Sequence, residues 1–535
     1  MGNPRSPFRR GRAVLIAACA VFLVTALLRF LGLKGFPDDQ FEHLAGAQQI
    51  LMGEWPNRDF FDPGMPFTYL ASAVAQLFLG RTLFAEAMLN AVALGLAAAC
   101  TLVAAHRLSR SLVVAVVAAA FCVAIFPRPY TYPKALLCAA GPLVMWAWMS
   151  RPSLRRTIGM AAFVVVAFLF RYDYGAYLGA AALATTMLAP ADRWTQRLAR
   201  TATLCLVMAV LLAPYAVFVQ QTEGMASAVR GVLEYGRRHA DRTQLHLFGL
   251  AWGHELGLFY AFHALPILAL VWCGIDRLRG KASDAAVVVP LALLAVLVNV
   301  GFLRDPLSAR LADAIVPASL LGAWLAGRAI GLRSLLPRLA AVAVVIVLVA
   351  LGANSVFAVA DTREHIERTD LGKGVFNTPQ LLSDRTKELV ARFSRQQVPD
   401  GRLIPLFPLF EYLGRCTTTQ HRLLVTAYAP ELYVYSRRMF AGGQKVFMER
   451  YQQSPSDQQR TIDRMERQMV LFVLAPSDTY EEWQHGFTYV SAYVDGHFRQ
   501  MVDIPVSSSR SLHVLVNHEI PASRADPATG WPCYV

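Results

Sequence analysis

The chain has 535 residues, of which 55% are hydrophobic and 16% charged, with a formal net charge of +14. Soluble globular domains carry nearer a quarter of their residues charged, so a mean hydropathy of +0.39 excludes an ordinary soluble enzyme. Nucleic acid is excluded as a partner too, because the basic residues are scattered among short connections rather than gathered with aromatics on one surface.

Apolar stretches of about the length a helix needs to cross a bilayer fall at 13–33, 82–105, 111–127, 134–149, 157–170, 174–190, 201–219, 251–273, 285–303, 309–327 and 339–358. The expected fold is a polytopic α-helical membrane protein of about eleven transmembrane helices. No small-residue cleavage site follows the stretch from Ala13, so it reads as a retained helix rather than a removed signal peptide. Arg5, Arg9, Arg10 and Arg12 precede it. Every second connection repeats that excess: Arg107 and Arg110; Arg151, Arg155 and Arg156; Arg193, Arg197 and Arg200; Arg277, Arg279 and Lys281; Arg328, Arg333 and Arg338. Positive short loops stay cytoplasmic. The N-terminus is therefore expected inside. The connections 34–81, 128–133, 171–173, 220–250 and 304–310, with the C-terminal region, are expected outside.

The first outward connection holds "FPDDQFEHLAGAQQILMGEWPNRDFFDPGMP". Phe41, Leu44, Ala45, Gln48, Leu51 and Met52 fit one helical face, which predicts a short helix along the membrane surface, ended by Gly53. Trp55, Phe60 and Phe61 are interfacial aromatics, and Pro56, Pro63, Gly64 and Pro66 impose irregular backbone around Arg58, Asp59 and Asp62. Asp39 is placed at the N-cap with Glu42 three residues on, an approximate capping box. Asp62 before Pro-Gly fits a turn initiator. Arg58 is a partner for Asp59 or Asp62, Glu86 for Arg81, and His43 is a surface side chain.

From 359 to 535 polarity is ordinary. "NTPQLLSDRTKELVARFSRQ", capped by Thr378 with Pro379 next, "PELYVYSRR" and "SDQQRTIDRMERQ" read as helices, while "RLIPLF", "RLLVTAY" and "MVLFVLA" read as buried strands. Residues 1–358 thus form a transmembrane domain and 359–535 an extracytoplasmic α/β domain. None of the eight cysteines has metal-knuckle spacing. Cys19, Cys100, Cys122, Cys138, Cys205 and Cys273 lie in or beside apolar stretches as small buried residues. Cys416 and Cys533 share the C-terminal region, where an external setting permits a disulfide.

Outward connections should be poor in positive charge, yet Lys134, Arg171, Arg304, Arg310, and the group Arg230, Arg237, Arg238, His239 and Arg242 occupy them. Several such sites facing an acidic connection point to an anionic ligand, and guanidinium suits phosphate. A group transferred outside the cytoplasm arrives on a lipid phosphate. Cations would then stabilise the leaving phosphate, and a carboxylate would take the proton of the acceptor.

Asp39, Ala47, Gly53, Pro56, Arg58, Asp59 and Phe60, followed by Asp62-Pro63-Gly64 and Pro66, resemble the first loop of the lipid-linked-sugar glycosyltransferases of the GT-C fold, in the bacterial branch of protein-mannosyltransferase-like and lipid A aminoarabinose-transferase-like enzymes. "FRYDYG" resembles that family's Arg-x-Asp-x-Gly turn at Arg171, Asp173 and Gly175; "RDPLSARLADAIVP" and "PELYVYSRRMFAGG" resemble later segments. Gln40 stands where many members carry Glu, Asp38-Asp39 can itself be read as the acidic pair one residue out of register, and Arg310 stands where His is frequent. The resemblance implies an inverting single displacement on a polyprenyl-phosphate sugar in the bacterial plasma membrane, with a glycan, lipid or protein acceptor. It implies Asp39 as general base, with Asp38 and Asp59 behind it. Arg58, Lys134, Arg171, Arg304, Arg310, Arg237 and Arg238 become substrate or phosphate contacts, and a divalent metal near Asp39 and Asp59 is an open question. The alternatives are an oligosaccharide ligase or polymerase using a diphosphate-linked donor, and a lipid or sugar flippase.

Overall fold

The computed structural model describes residues 7–36, 38–125, 128–189, 193–237, 254–279, 284–303, 307–332, 334–360, 362–391 and 401–535. Helix α1 (Pro7–Gly32) precedes α2 (Asp38–Leu51), α3 (Pro66–Leu79) and α4 (Leu83–Ser109). The remaining apolar stretches also fall on helices: Leu112–Ala124, Tyr132–Ser150, Leu154–Phe170, Tyr172–Leu188, Trp194–Thr222, His254–Leu278, Ala285–Asn299, Leu307–Ile330 and Leu335–Val359. Among the described residues, four helical segments are long and apolar enough to cross a membrane by length and composition: Gly11–Gly32, Leu83–Ser109, Trp194–Thr222 and Phe259–Leu278. The chain is a multi-pass membrane protein. That count is smaller than about eleven, partly because helices such as Leu154–Phe170 and Tyr172–Leu188 reach only 17 residues each.

The chain forms two compact units. The first comprises Met1–Lys34, Asn90–Pro214 and Arg242–Leu382, the second Gly35–Leu89, Tyr215–Asp241 and Ser383–Val535. In the first, Arg29 is buried in α1 and donates to the carbonyls of Val123 at 2.8 Å and Ile125 at 2.7 Å. These carbonyls end the helix Leu112–Ala124, where no intrahelical donor remains. Helices Leu154–Phe170 and Tyr172–Leu188 fold back on each other around Arg171. A Cβ at Gly175 would lie 2.1 Å from Phe168 Cα, so only glycine permits the approach.

The second unit contains a four-stranded mixed sheet. Strand β1 (Arg422–Val425) runs parallel to β2 (Val470–Pro476), and β4 (Arg510–Asn517) is antiparallel to both β2 and β3 (Phe498–Ser507), giving the order β1-β2-β4-β3. The helices Glu431–Ser436 and Pro455–Glu466 lie in the crossover between the parallel strands. One face of the sheet packs Leu424, Val473 and Leu515 with Phe447, Trp483 and Val490. A disulfide joins Cys416 to Cys533, as the placement of these cysteines had suggested. "RLIPLF" is not a strand: Gly401–Leu406 is a 3-10 helix, since Pro405 has no N–H for a sheet ladder.

The first connection departs from expectation in two ways. Helix α3 was not anticipated, because a largely apolar helix of 14 residues is too short to read as a span. Helix α2 is enclosed by protein instead of exposed, since Gln40–Gln49 are all buried. Gly46 sits under the ring of Tyr69, where a Cβ would be 2.6 Å from Cδ1. Gln48 donates to the carbonyl of Tyr433 at 2.9 Å, and Gln49 accepts from the Phe440 N–H at 3.2 Å. Those partners let a polar helix face enter the interior.

Candidate functional site

The second unit concentrates carboxylates at the start of α2. Asp39 and Glu42, three residues apart, share a helix face. Tyr428, just after β1, places its hydroxyl 2.5 Å from Asp39 Oδ1 and 3.0 Å from Glu42 Oε2. Burial, and then the negative charge of Glu42, push the phenol far above its ordinary range, so it stays protonated and donates. Lys445 Nζ lies 2.7 Å from Glu42 Oε1, with both side chains 3% exposed. This is an ion pair by distance, although its angle is not that of a hydrogen bond. Lys445 also donates to the Tyr69 hydroxyl and sits 4.5 Å over that ring.

Asp62 stands behind this group. Its Oδ1 accepts from the N–H groups of Gly64 at 3.0 Å and Met65 at 2.9 Å, the turn its Pro-Gly context predicted. Its Oδ2 is buried with no hydrogen-bond partner among the described residues. Burial raises the Asp62 pKa, and the charge of Lys445 opposes that rise. Glu223, following the helix Trp194–Thr222, is likewise pushed up, to about 7, by burial, against the pull of Arg460, whose guanidinium is 3.6 Å away.

Several expectations change here. Asp39 lies inside the first turn of α2, one residue after its start at Asp38, and Glu42 turns to Lys445 instead of back to the helix terminus, so no capping box forms. A buried cation attracts Glu42 more strongly than a backbone N–H. His43 is buried at 3% exposure and stands edge-on to Tyr69 at 6.2 Å. Glu86 accepts from Gln40, while Arg81 donates to the Leu51 carbonyl.

Asp59 forms a self-contained turn. Its Oδ2 lies 2.6 Å from Arg58 Nη2 and accepts from the Trp55 N–H at 2.8 Å, and Arg58 also donates to the Gly53 carbonyl. With Asp59 held by Arg58, and Asp39 by Tyr428, this donor set does not fit a divalent ion shared by the two aspartates. No group of three His, Cys, Asp or Glu converges among the described residues.

The first unit gathers Lys134, Arg171 and Arg310 around two aspartates. Lys134 enters the helix Tyr132–Ser150, Arg171 precedes Tyr172–Leu188, and Arg310 opens Leu307–Ile330. Lys134 Nζ is 2.8 Å and Arg310 Nη1 3.3 Å from Asp313 Oδ2. Arg171 meets the two oxygens of Asp173 at 3.2 Å each. Among the described residues, three cations and two carboxylates meet in this cluster. Asp313 was not singled out from the sequence, although a lone acid within an apolar helix normally marks a partnered site. In the same unit a cavity of about 300 Å³ is lined by apolar side chains including Val117, Phe121, Phe262, Leu265, Ile315 and Val349. Arg237 ends the helix Met225–Arg237, and Arg238 and Arg304 lie outside the described residues. Asp38 opens α2 and is exposed.

Lys445, Tyr428 and Tyr69 were also missed. A usable signal existed for Lys445, the one charge between Arg438 and Glu449, since an isolated lysine in an apolar stretch is seldom buried without a partner.

The fold is that of a helical membrane protein bearing a small mixed sheet. No family model matches the sequence, and no curated protein matches it. Among solved structures the chain is similar to ArnT from Cupriavidus metallidurans bound to undecaprenyl phosphate, at 15% identity and a TM-score of 0.47, covering 95% of this chain and 98% of that one. It is also similar to ArnT from the same organism in the apo state, at 16% identity and a TM-score of 0.44, covering 94% and 98%.

Proposed function

We propose that this protein is a membrane glycosyltransferase moving a sugar from a polyprenyl-phosphate donor to an acceptor hydroxyl at the outer face of a bacterial plasma membrane. The observation that carries the reading is Asp39: a half-buried carboxylate whose Oδ1 is fixed by Tyr428, an oriented general base. The acceptor oxygen attacks the anomeric carbon and passes its proton to Asp39. The bond from that carbon to the phosphate oxygen breaks, and polyprenyl phosphate leaves with the electron pair, inverting the centre. Glu42 and Lys445 are positioning residues that hold Tyr428.

Lys134, Arg171 and Arg310 are proposed to offset the charge of the phosphate, with Arg304, Arg58, Arg237 and Arg238 as further contacts on sequence grounds. The apolar cavity of the first unit suits the prenyl chain. The disulfide and the arginine pattern of the loops both favour an external C-terminal region. Glycan, lipid and protein acceptors all supply the required hydroxyl.

A flippase places its functional charges within spans near the midplane, whereas Lys134, Arg171 and Arg310 stand at helix starts. A ligase using a diphosphate-linked donor shares these cations, and a donor comparison separates the two. Transfer by Asp39→Asn should fall by about two to four orders of magnitude while donor binding persists. Undiminished transfer by that variant removes Asp39 as the base.

A further inference from the structure

The helix Met225–Arg237 wears its polarity inside out. Ser227, Gly231, Glu234 and Tyr235 fall on one side of it, and that side packs on the segment 451–460 within the second unit. Arg460 donates to the Ser227 hydroxyl at 2.7 Å, and a Cβ at Gly231 would lie 3.2 Å from Gln452 Nε2. The Gln452 N–H donates to the Glu234 carboxylate, and Tyr235 stands edge-on to Tyr451 at 5.4 Å. The opposite side carries Met225, Val229 and Leu233, one helical turn apart, which are 36%, 50% and 53% exposed. Ala226 and Arg230 are exposed beside them. A helix on a water-soluble surface turns its aliphatic stripe toward the protein and its polar face outward; here the polar face is packed and the aliphatic stripe is bare.

The start of the helix says what covers that stripe. The preceding helix Trp194–Thr222 is long and apolar enough to cross a membrane, and its Leu206, Val210 and Val217 are exposed, so lipid surrounds it. Its last turn is closed by the N–H groups of Glu223 and Gly224, which donate to the Val219 carbonyl at 3.1 and 2.9 Å. Gly224, at a φ of 85°, makes the corner that a side chain would resist. The Met225 N–H then donates back to Gln220 Oε1 at 3.1 Å. The first turn of Met225–Arg237 is therefore hydrogen-bonded to the last turn of a lipid-facing span, at the level where hydrocarbon gives way to headgroups.

We propose that the helix Met225–Arg237 docks on the bilayer around the protein. Met225, Val229 and Leu233 seat among the acyl chains just below the headgroups, and Arg230 extends to the lipid phosphates. Through Ser227 and Glu234 the docked helix holds the segment 451–460, which ties the second unit, and Asp39 with it, to the membrane surface. The docking stands whether or not Asp39 is a catalytic base.

The test places the photoreactive residue p-benzoylphenylalanine at Val229, at Leu233 or at Glu234 in the full-length protein, held in nanodiscs of alkyne-tagged phosphatidylcholine and phosphatidylglycerol. Leu233 and Glu234 are neighbours in the chain on different helix faces, so a general affinity for lipid labels both. The expected result is a lipid adduct at Val229 and Leu233 severalfold above that at Glu234, read by mass spectrometry. Separately, Val229→Asp and Leu233→Asp should each lower the melting temperature in nanodiscs, since a carboxylate among acyl chains is costly, whereas a water-facing stripe would accept either change. Equal lipid adducts at all three positions, adducts to a second copy of the chain in place of lipid, no lipid adduct, or a melting temperature unmoved by both aspartates would overturn the proposal.

Discussion

Replacing Lys445 by methionine tests the buried network around the proposed base. Lys445 and Glu42 are each 3% exposed and 2.7 Å apart, so Lys445→Met leaves the Glu42 carboxylate in the interior without its ion-pair partner, with the Tyr428 hydroxyl still donating to it. Breaking a buried pair by removing one partner costs about 3–5 kcal/mol, because an uncompensated charge stays behind. Adding Glu42→Gln removes that charge, and the double variant should recover most of the loss. Denaturant titrations in detergent micelles, followed by tryptophan fluorescence, give the three values of a double-mutant cycle. A single variant within about 0.5 kcal/mol of the parent, or a double variant no more stable than Lys445→Met, would refute the reasoning.

Glu223 gives a pH signature. Its pKa is raised from 4.5 to about 7 by burial, so the native state keeps a proton that the unfolded chain releases. Stability should therefore fall as pH rises from about 4.5 to 7 and level off above, by at most about 3 kcal/mol; Glu223→Gln should remove that component, seen as a flatter difference in melting temperature. The Cys416–Cys533 bond closes a sequence separation of 117, and its loss should cost about 2–4 kcal/mol, with reductant lowering the parent to the level of Cys416→Ser and leaving that variant unchanged. Gly175→Ala drives a methyl to 2.1 Å from the Phe168 backbone and should cost about 1–3 kcal/mol, read as a lower melting temperature. Arg310→Ala should weaken polyprenyl-phosphate binding by about 10- to 100-fold, the worth of a charged hydrogen bond, measured by calorimetry.

The membrane helices were legible because the apolar runs bounded by arginines depend only on composition and length. Strands β1 and β2 were legible for a related reason: "RLLV" and "VLFVLA" are buried on both faces and read as continuous hydrophobic runs. The grouping of Lys134 with Arg171 and Arg310 was suggested by basic residues in connections that the arginine pattern assigns to the outside, where they are unexpected. What the sequence hid was partnership across long separations. Glu42 meets Lys445 and Asp39 meets Tyr428 about four hundred residues away, and no local pattern encodes such a contact. The same limit explains why α2 reads as a surface helix: Gln48 and Gln49 look solvent-facing until their backbone partners at Tyr433 and Phe440 are known.

The most direct test of the central claim is release of polyprenyl phosphate. Purified protein in nanodiscs would be given a panel of polyprenyl-phosphate sugars and, separately, polyprenyl-diphosphate sugars, with a glycan acceptor, and the freed lipid followed by mass spectrometry. The account predicts free polyprenyl monophosphate and a glycosylated acceptor from at least one monophosphate donor, and neither with Asp39→Asn. Release from diphosphate donors alone, or equal release by Asp39→Asn, would contradict it.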